Sequence, residues 1–140
     1  MSTVLCFDFG QIRTGVAIGN TITLTAAPEC TLHSKNNQPD WKAISVLISL
    51  WRPSQLVVGL PLNLDGSDTN ATTAVRRFCN QLMARYKLPV VQENEQYSSI
   101  EAAQRLKETR QCGRKKKVSK EDIDQVAAAI ILENYFRTLQ

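Results

Sequence analysis

Residues 4–20 read VLCFDFGQIRTGVAIGN, and this stretch sets the expected fold. An apolar run leads to Asp8, the chain then turns, and a second apolar run follows. The pattern predicts two antiparallel strands, at 3–9 and 14–20, joined by a short turn. A carboxylate in an apolar neighbourhood is costly unless it is paired. Asp8 therefore requires a cation, a metal ion or a hydrogen-bond network.

The rest of the chain changes from short apolar runs to helical periodicity. We predict a third strand at 21–32, later strands at 55–60 and 88–93, and helices at 41–51, 71–86, 98–108 and 121–136. This order favours an α/β fold with a mixed five-stranded sheet, in which three antiparallel strands precede two parallel ones and helices cover the faces. The sequence has no internal repeat and no linker composition, so we predict one domain over residues 1–140.

The composition limits the classes of protein that the chain can belong to. It has 140 residues, of which 43% are hydrophobic, and a net charge of +4 that mildly favours an anionic partner. No apolar run is long enough to span a bilayer, and the N-terminus lacks a signal-peptide pattern. The four cysteines (Cys6, Cys30, Cys79 and Cys112) are scattered singly. They predict reduced thiols in a cytoplasmic protein rather than disulfides or a zinc site.

Acidic residues follow the predicted strands and begin the last helix. Asp8 lies within or at the end of the first strand, Glu93 and Glu95 lie at the carboxyl end of the last strand, and Asp122 and Asp124 lie in the first turns of the helix. Because ligands gather at the carboxyl ends of strands in open α/β sheets, these acids can meet there. Three carboxylates that converge from the first strand, the end of the last strand and the helix form a site of oxygen ligands. Such a site suits magnesium or manganese rather than zinc or copper. Helix caps and surface acids remain the alternative; Asp122, for example, is spaced to form a cap with Ser119.

Three motifs together resemble the YqgF/RuvX family of Holliday junction resolvases. They are DFGQIRTGVAIG at 8–19, VVGLPLNLDGS at 57–67 and IDQVAAAIIL at 123–132. The resemblance extends from residue 4 to about residue 136. It implies a ribonuclease H-like fold and cleavage of phosphodiester bonds with a divalent metal.

The resemblance also implies the catalytic residues. Asp8, Glu95 and Asp124 match the family's acidic residues, which implies that they are catalytic and that they bind Mg²⁺ or Mn²⁺. The chain departs from the family beside Glu95. The family has Asp-Glu-Arg there, whereas this chain has Asn94 and Gln96 around the glutamate. Whether these two substitutions reduce activity is open.

A second group of residues is expected to contact nucleic acid. Arg13 lies in the turn after the first strand, and four consecutive cations precede the last helix, where a solvated loop is the alternative. Gly15 fits tight packing with a positive φ, backbone approach to a phosphate, or both. The predicted nucleic-acid-binding residues are Arg13, Arg114, Lys115, Lys116 and Lys117.

The predicted function is metal-dependent cleavage of structured nucleic acid, with processing of the 5′ end of pre-16S rRNA favoured. Resolution of Holliday junctions is an alternative, as is a non-catalytic RNA-binding or transcription-associated module. An actin-like ATPase or kinase is disfavoured because those proteins need two lobes of this fold to close around a nucleotide, and this chain supplies one. The expected partners are precursor rRNA or branched DNA, with ribosomal particles as a further candidate. We expect no association with a membrane. The expected oligomeric state is a monomer or a weak homodimer.

Overall fold

Five strands form one mixed sheet in the order β3-β2-β1-β4-β5. The computed structural model describes residues 2–61, 65–94, 104 and 119–139. The strands are β1 (Thr3–Phe9), β2 (Arg13–Asn20), β3 (Thr25–His33), β4 (Gln55–Leu60) and β5 (Val90–Asn94), and the helices are α1 (Trp41–Trp51), α2 (Thr72–Tyr86) and α3 (Lys120–Thr138). β1 pairs antiparallel with β2 and parallel with β4. β3 continues the antiparallel part and β5 the parallel part, which confirms the predicted sheet.

The start of β3 was predicted four residues too early. Residues 21–24 form a turn, and the strand begins at Thr25. The side-chain Oδ1 of Asn20 accepts a hydrogen bond from the backbone N–H of Ile22 at 2.8 Å, and Leu24 has a φ of 57°. An asparagine that bonds to the backbone two residues ahead favours a turn over continued strand pairing.

The other boundaries lie close to their predicted positions. α1 and β4 match, α2 begins one residue later than predicted, and β5 is displaced to Val90–Asn94 because Pro89 has no N–H for the ladder. The Ser119 hydroxyl accepts from the Asp122 backbone N–H, and the Asp122 carboxylate accepts from that of Ser119, so the predicted cap is confirmed. The helix predicted at 98–108 lies outside the described residues, apart from Gln104.

The two faces of the sheet bury different helices. Leu5 and Phe7 of β1 belong to the core formed with α1 and α2, where Phe7 contacts Phe78 edge to face. The intervening residues Val4 and Cys6 pack instead with α3. Because side chains alternate along a strand, Asp8 falls on the α3 face as well. The fold thus directs this carboxylate toward the last helix.

Candidate active site

Asp8 and Asp124 line one cavity of about 460 Å³. Asp8 lies near the carboxyl end of β1, directly opposite Gly15 of β2. Asp124 lies in the second turn of α3, and the next turns of its helix face, Ala128 and Ile131, are fully buried against the sheet. The structure therefore brings together two of the three predicted metal ligands, which are 116 positions apart in the sequence.

Gly15 allows α3 to approach the sheet at this point. A Cβ atom on Gly15 would collide with the backbone carbonyl of Asp124. Gly15 does not have a positive φ; among the described glycines, Gly66 is the one that does. The role of Gly15 in the fold is therefore to allow the close approach of α3, which holds the Asp124 backbone against β2.

Arg13 forms an ion pair with Asp124. The Nε atom donates a hydrogen bond to Oδ2 at 2.7 Å, and the two side chains are 27% and 22% exposed. This hydrogen bond, reinforced by the charge of Asp124, raises the pKa of Arg13 above its ordinary value. Nε is one of five N–H donors on a guanidinium, so this single bond does not use up its capacity to bind an anion.

A second contact ties the start of α3 to the sheet. The Thr31 hydroxyl on β3 donates a hydrogen bond to the backbone carbonyl of Glu121 at 2.8 Å. The Glu121 side chain lies 3.7 Å from Nε2 of His33, a pair that is largely exposed. Together with the Arg13–Asp124 bond, these contacts fix the first turns of α3 and thus the direction of the Asp124 carboxylate.

The remaining predicted site residues lie outside the described part of the chain. These are Glu95, Arg114, Lys115, Lys116 and Lys117. Glu93 is described: burial raises its pKa, but it does not line the cavity. Within the described residues, no three acidic, cysteine or histidine side chains are grouped closely enough to hold a metal ion. The two aspartates are therefore the predicted ligands that the structure supplies.

The opposite wall of the cavity comes from the start of α2. Asn70 and Ala71 line it, at the end of the loop that follows β4. The fully buried Thr72 anchors this segment, because its hydroxyl donates to the Pro61 carbonyl at 2.7 Å. Sequence analysis assigned no role to Asn70, for which the available signal was its place in a polar loop after a buried strand.

Gln11 and Ile12 also line the cavity, from the turn between β1 and β2. Sequence reasoning missed both. The side chain of Ile12 is 71% exposed, so it offers apolar surface at the mouth of the cavity. An isoleucine in a tight polar turn was the available signal.

The described thiols are unsuited to nucleophilic chemistry. Cys30 and Cys79 are free thiols, and Cys6 is fully buried. Burial raises the pKa of Cys30 and of Cys79 to about 11, so both stay protonated near neutral pH. The chemistry of the cavity rests on its carboxylates and on Arg13.

The whole chain matches a known protein family. The model of the RuvX family, described as Holliday junction resolvase, matches residues 2–138. The chain belongs to the RuvX family. It is 47% identical over 136 residues to a protein of Hydrogenovibrio crunogenus, a match that covers 97% of this chain and 94% of that protein. A protein of Dechloromonas aromatica is 42% identical over 138 residues, covering 99% and 92%. Both relatives carry the name "Putative pre-16S rRNA nuclease".

Solved structures share the fold of this RuvX protein at low sequence identity. T. thermophilus RuvC in complex with a Holliday junction substrate has a TM-score of 0.57 and 13% identity, over 99% of this chain and 96% of that one. The fowlpox virus resolvase in complex with Holliday junction DNA has a TM-score of 0.55 and 13% identity, over 98% of each chain. These similarities confirm the ribonuclease H-like fold. The RuvX family and the names of the relatives confirm the predicted nuclease class. No described helix has the length and apolar character needed to cross a membrane.

Proposed function

We propose that this chain is a divalent-metal-dependent nuclease that cleaves phosphodiester bonds in structured nucleic acid, as one domain over residues 1–140. The observation that carries the proposal is the cavity that Asp8, Asp124 and Arg13 share. It combines two carboxylates with a guanidinium that remains protonated. Carboxylates suit a cation and a guanidinium suits a phosphate, so the same cavity fits both components of such a reaction.

The chemistry of the donor set fits magnesium or manganese. Both are hard cations that take oxygen ligands, and Mg²⁺ needs only one or two carboxylates when a substrate phosphate and waters complete its shell. Asp8 and Asp124 are the described ligands in this proposal, and Glu95 is the third. A bound ion would supply Lewis-acid stabilisation for the attacking and leaving oxygens of the phosphodiester.

The other residues of the proposal orient the Asp124 carboxylate and attract the phosphates of the substrate. Arg13 orients the Asp124 carboxylate through its 2.7 Å bond and directs its remaining N–H groups at a substrate phosphate. Arg114, Lys115, Lys116 and Lys117 add sequence-independent affinity for the nucleic-acid backbone. Each proposed role matches the chemistry of its side chain.

The favoured substrate is the 5′ end of pre-16S rRNA. The name shared by relatives at 47% and 42% identity supports it. A Holliday junction is the second candidate, supported by the description of the family model and by the two resolvase complexes of similar fold.

Cleavage of the two candidate substrates tests this function. We expect the purified chain to cleave a precursor 16S rRNA 5′ leader with Mg²⁺ or Mn²⁺, to lose activity in excess EDTA, and to regain it when metal is restored. A four-way DNA junction is assayed in parallel, and cleavage of the junction alone would favour the second candidate. Binding of RNA without cleavage, with either metal, would contradict the nuclease and direct attention to Asn94 and Gln96.

Replacement of Arg13 separates its effect on the metal from its effect on the phosphate. In Arg13→Gln we expect kcat to fall about tenfold to a hundredfold, because a charge-assisted hydrogen bond is lost. The metal concentration for half-maximal activity should also fall. The positive charge of Arg13 repels a metal ion at Asp124, and Arg13→Gln removes that repulsion. Titration of Mn²⁺ against cleavage rate measures both quantities.

The matched control for this titration is Arg76→Gln. Arg76 is paired with Asp68 at 2.8 Å and does not line the cavity. We expect wild-type values for it. An Arg13→Gln variant that also retained wild-type kcat and metal requirement would contradict the role of Arg13.

A further inference from the structure

A second cavity of about 370 Å³ adjoins the first. The two share a border formed by Phe9, Gln11, Ile12 and Ala74. Beyond it, the walls come from the segment after β3 and from the outer face of α2. Ala71 lines the first cavity and Arg77 the second, and the two are six positions apart, about 9 Å along the axis of α2. A ligand that crosses the first cavity therefore has a continuous path into the second.

The two cavities differ in charge. Asp8 and Asp124 line the first together with Arg13, which is paired with Asp124, whereas the described residues that line the second include Arg77 and no carboxylate. A polyanion in the first cavity needs a metal ion to offset the carboxylates. In the second cavity it meets a cation directly. The second cavity is thus suited to a phosphate without metal.

Arg77 differs from its neighbour Arg76 in its interactions. Arg76 donates hydrogen bonds to both carboxylate oxygens of Asp68, at 2.8 and 3.2 Å. Arg77 forms no ion pair with a carboxylate in the described part of the chain. Arg77 is exposed and lines the second cavity, and a guanidinium carries five N–H donors in the fork geometry that matches a phosphate.

The walls of the second cavity are well ordered by local contacts. Phe9 stacks on Phe78 with ring centroids 4.5 Å apart. On the opposite side, Lys35 and Gln38 exchange two backbone hydrogen bonds of 2.9 Å around a tight turn in which Asn37 has a φ of 60°. These contacts hold the walls of the groove in place, and a groove with fixed walls has a smaller entropic cost of binding.

The side chains around Arg77 suit a nucleotide. Ile12 offers an exposed apolar surface at the border of the two cavities, against which a base or sugar can pack. Gln38 and Gln81 offer amides, each with both donors and an acceptor, as the edges of bases require. Bases present these edges freely only when the strand is unpaired.

We propose that the second cavity binds the nucleotide next to the cleavage point, on an unpaired strand, with its phosphate on Arg77 and its base against Ile12. This inference rests on the proposed function, because that function places the scissile phosphate beside Asp8 and Asp124. It adds a subsite that selects unpaired flanking strand through residues other than the proposed metal ligands.

Binding measured in EDTA tests the subsite without cleavage. The probe is a short fluorescein-labelled single-stranded RNA, and fluorescence anisotropy gives Kd at several salt concentrations. We expect Arg77→Gln to raise Kd about tenfold and to reduce the salt slope by about 0.7, the value for one contact to a single-stranded phosphate. Ile12→Ala should raise Kd without changing the slope. Arg76→Gln removes the same charge from the same helix and should match wild type.

The outcomes separate this inference from the proposed function. If Arg77→Gln binds like Arg76→Gln, or if wild type binds no RNA, the subsite is wrong. If Arg77→Gln weakens a duplex of the same sequence as much as the single strand, the assignment to unpaired strand is wrong. Wild-type cleavage is measured separately with Mg²⁺: if it is absent while the Arg77 effect persists, the nuclease proposal fails, and with it the position beside a cleavage point, while nucleotide binding by the second cavity stands. Circular dichroism of each variant checks folding.

Discussion

Asp8→Asn is expected to abolish cleavage while the protein still folds and binds nucleic acid. The substitution keeps the size of the side chain but removes the negative charge from the cavity shared with Asp124. We expect a loss of about a thousandfold, the order seen when a group that stabilises transition-state charge is removed. The measurement is the single-turnover rate on the 5′ leader of precursor 16S rRNA with Mg²⁺, beside the anisotropy Kd for the same RNA.

A matched substitution elsewhere controls for the loss of a carboxylate. Asp65 is exposed, accepts hydrogen bonds from Ser67 at 2.9 and 2.6 Å, and does not line the cavity. Asp65→Asn should therefore cleave like wild type. If Asp8→Asn kept more than about a tenth of the wild-type rate, or lost RNA binding together with cleavage, its role as a metal ligand would be wrong.

Gly15→Ala is expected to inactivate the protein by a different route. The added Cβ would meet the backbone carbonyl of Asp124, and backbone cannot move aside as a flexible side chain can. The start of α3 must shift from β2, which breaks the alignment of Asp124 with Asp8 and Arg13. Overpacking of this kind lowers the free energy of unfolding by about 1–3 kcal/mol. Urea unfolding and the cleavage rate measure the two effects.

Gly19→Ala distinguishes lost alignment from lost stability. Gly19 lies on the same face of β2, and its Cβ would press on the side chains of Leu132 and Phe136, at 2.7 and 2.9 Å, and on a backbone carbonyl of β3. The two helix contacts lie about two and about three turns of α3 beyond Asp124. We expect comparable destabilisation and much higher residual activity in folded protein. Equal activity losses in the two variants would indicate that stability alone is responsible.

Local patterns in the sequence predicted most of the fold. Alternation of apolar residues located β1 and β2, the apolar run QLVVGL located β4, and the spacing of Ser119 and Asp122 marked the start of α3. The exception was the start of β3. There the bond from Asn20 to the backbone of Ile22 competes with strand pairing, and β-propensity alone did not reveal it.

The two described acids of the candidate site were predictable from the sequence, whereas the contacts that surround them were not. Asp8 and Asp124 stood out as carboxylates in apolar surroundings, and both line the cavity. The bond from Arg13 to Asp124 joins residues 111 positions apart, so no local pattern encodes it. The tight contact of Gly15 likewise exists only once α3 packs on β2. Sequence spacing therefore identified which residue types are present, while packing decided which of them touch.

Mn²⁺ binding followed by electron paramagnetic resonance tests most directly whether Asp8 and Asp124 hold a divalent ion. The free-ion signal is titrated against wild type, Asp8→Asn, Asp124→Asn and the control Asp65→Asn, without nucleic acid. We expect wild type and Asp65→Asn to bind Mn²⁺ equally and each cavity variant to bind at least about tenfold more weakly. Equal Mn²⁺ binding by all four proteins would contradict a metal site formed by these two aspartates.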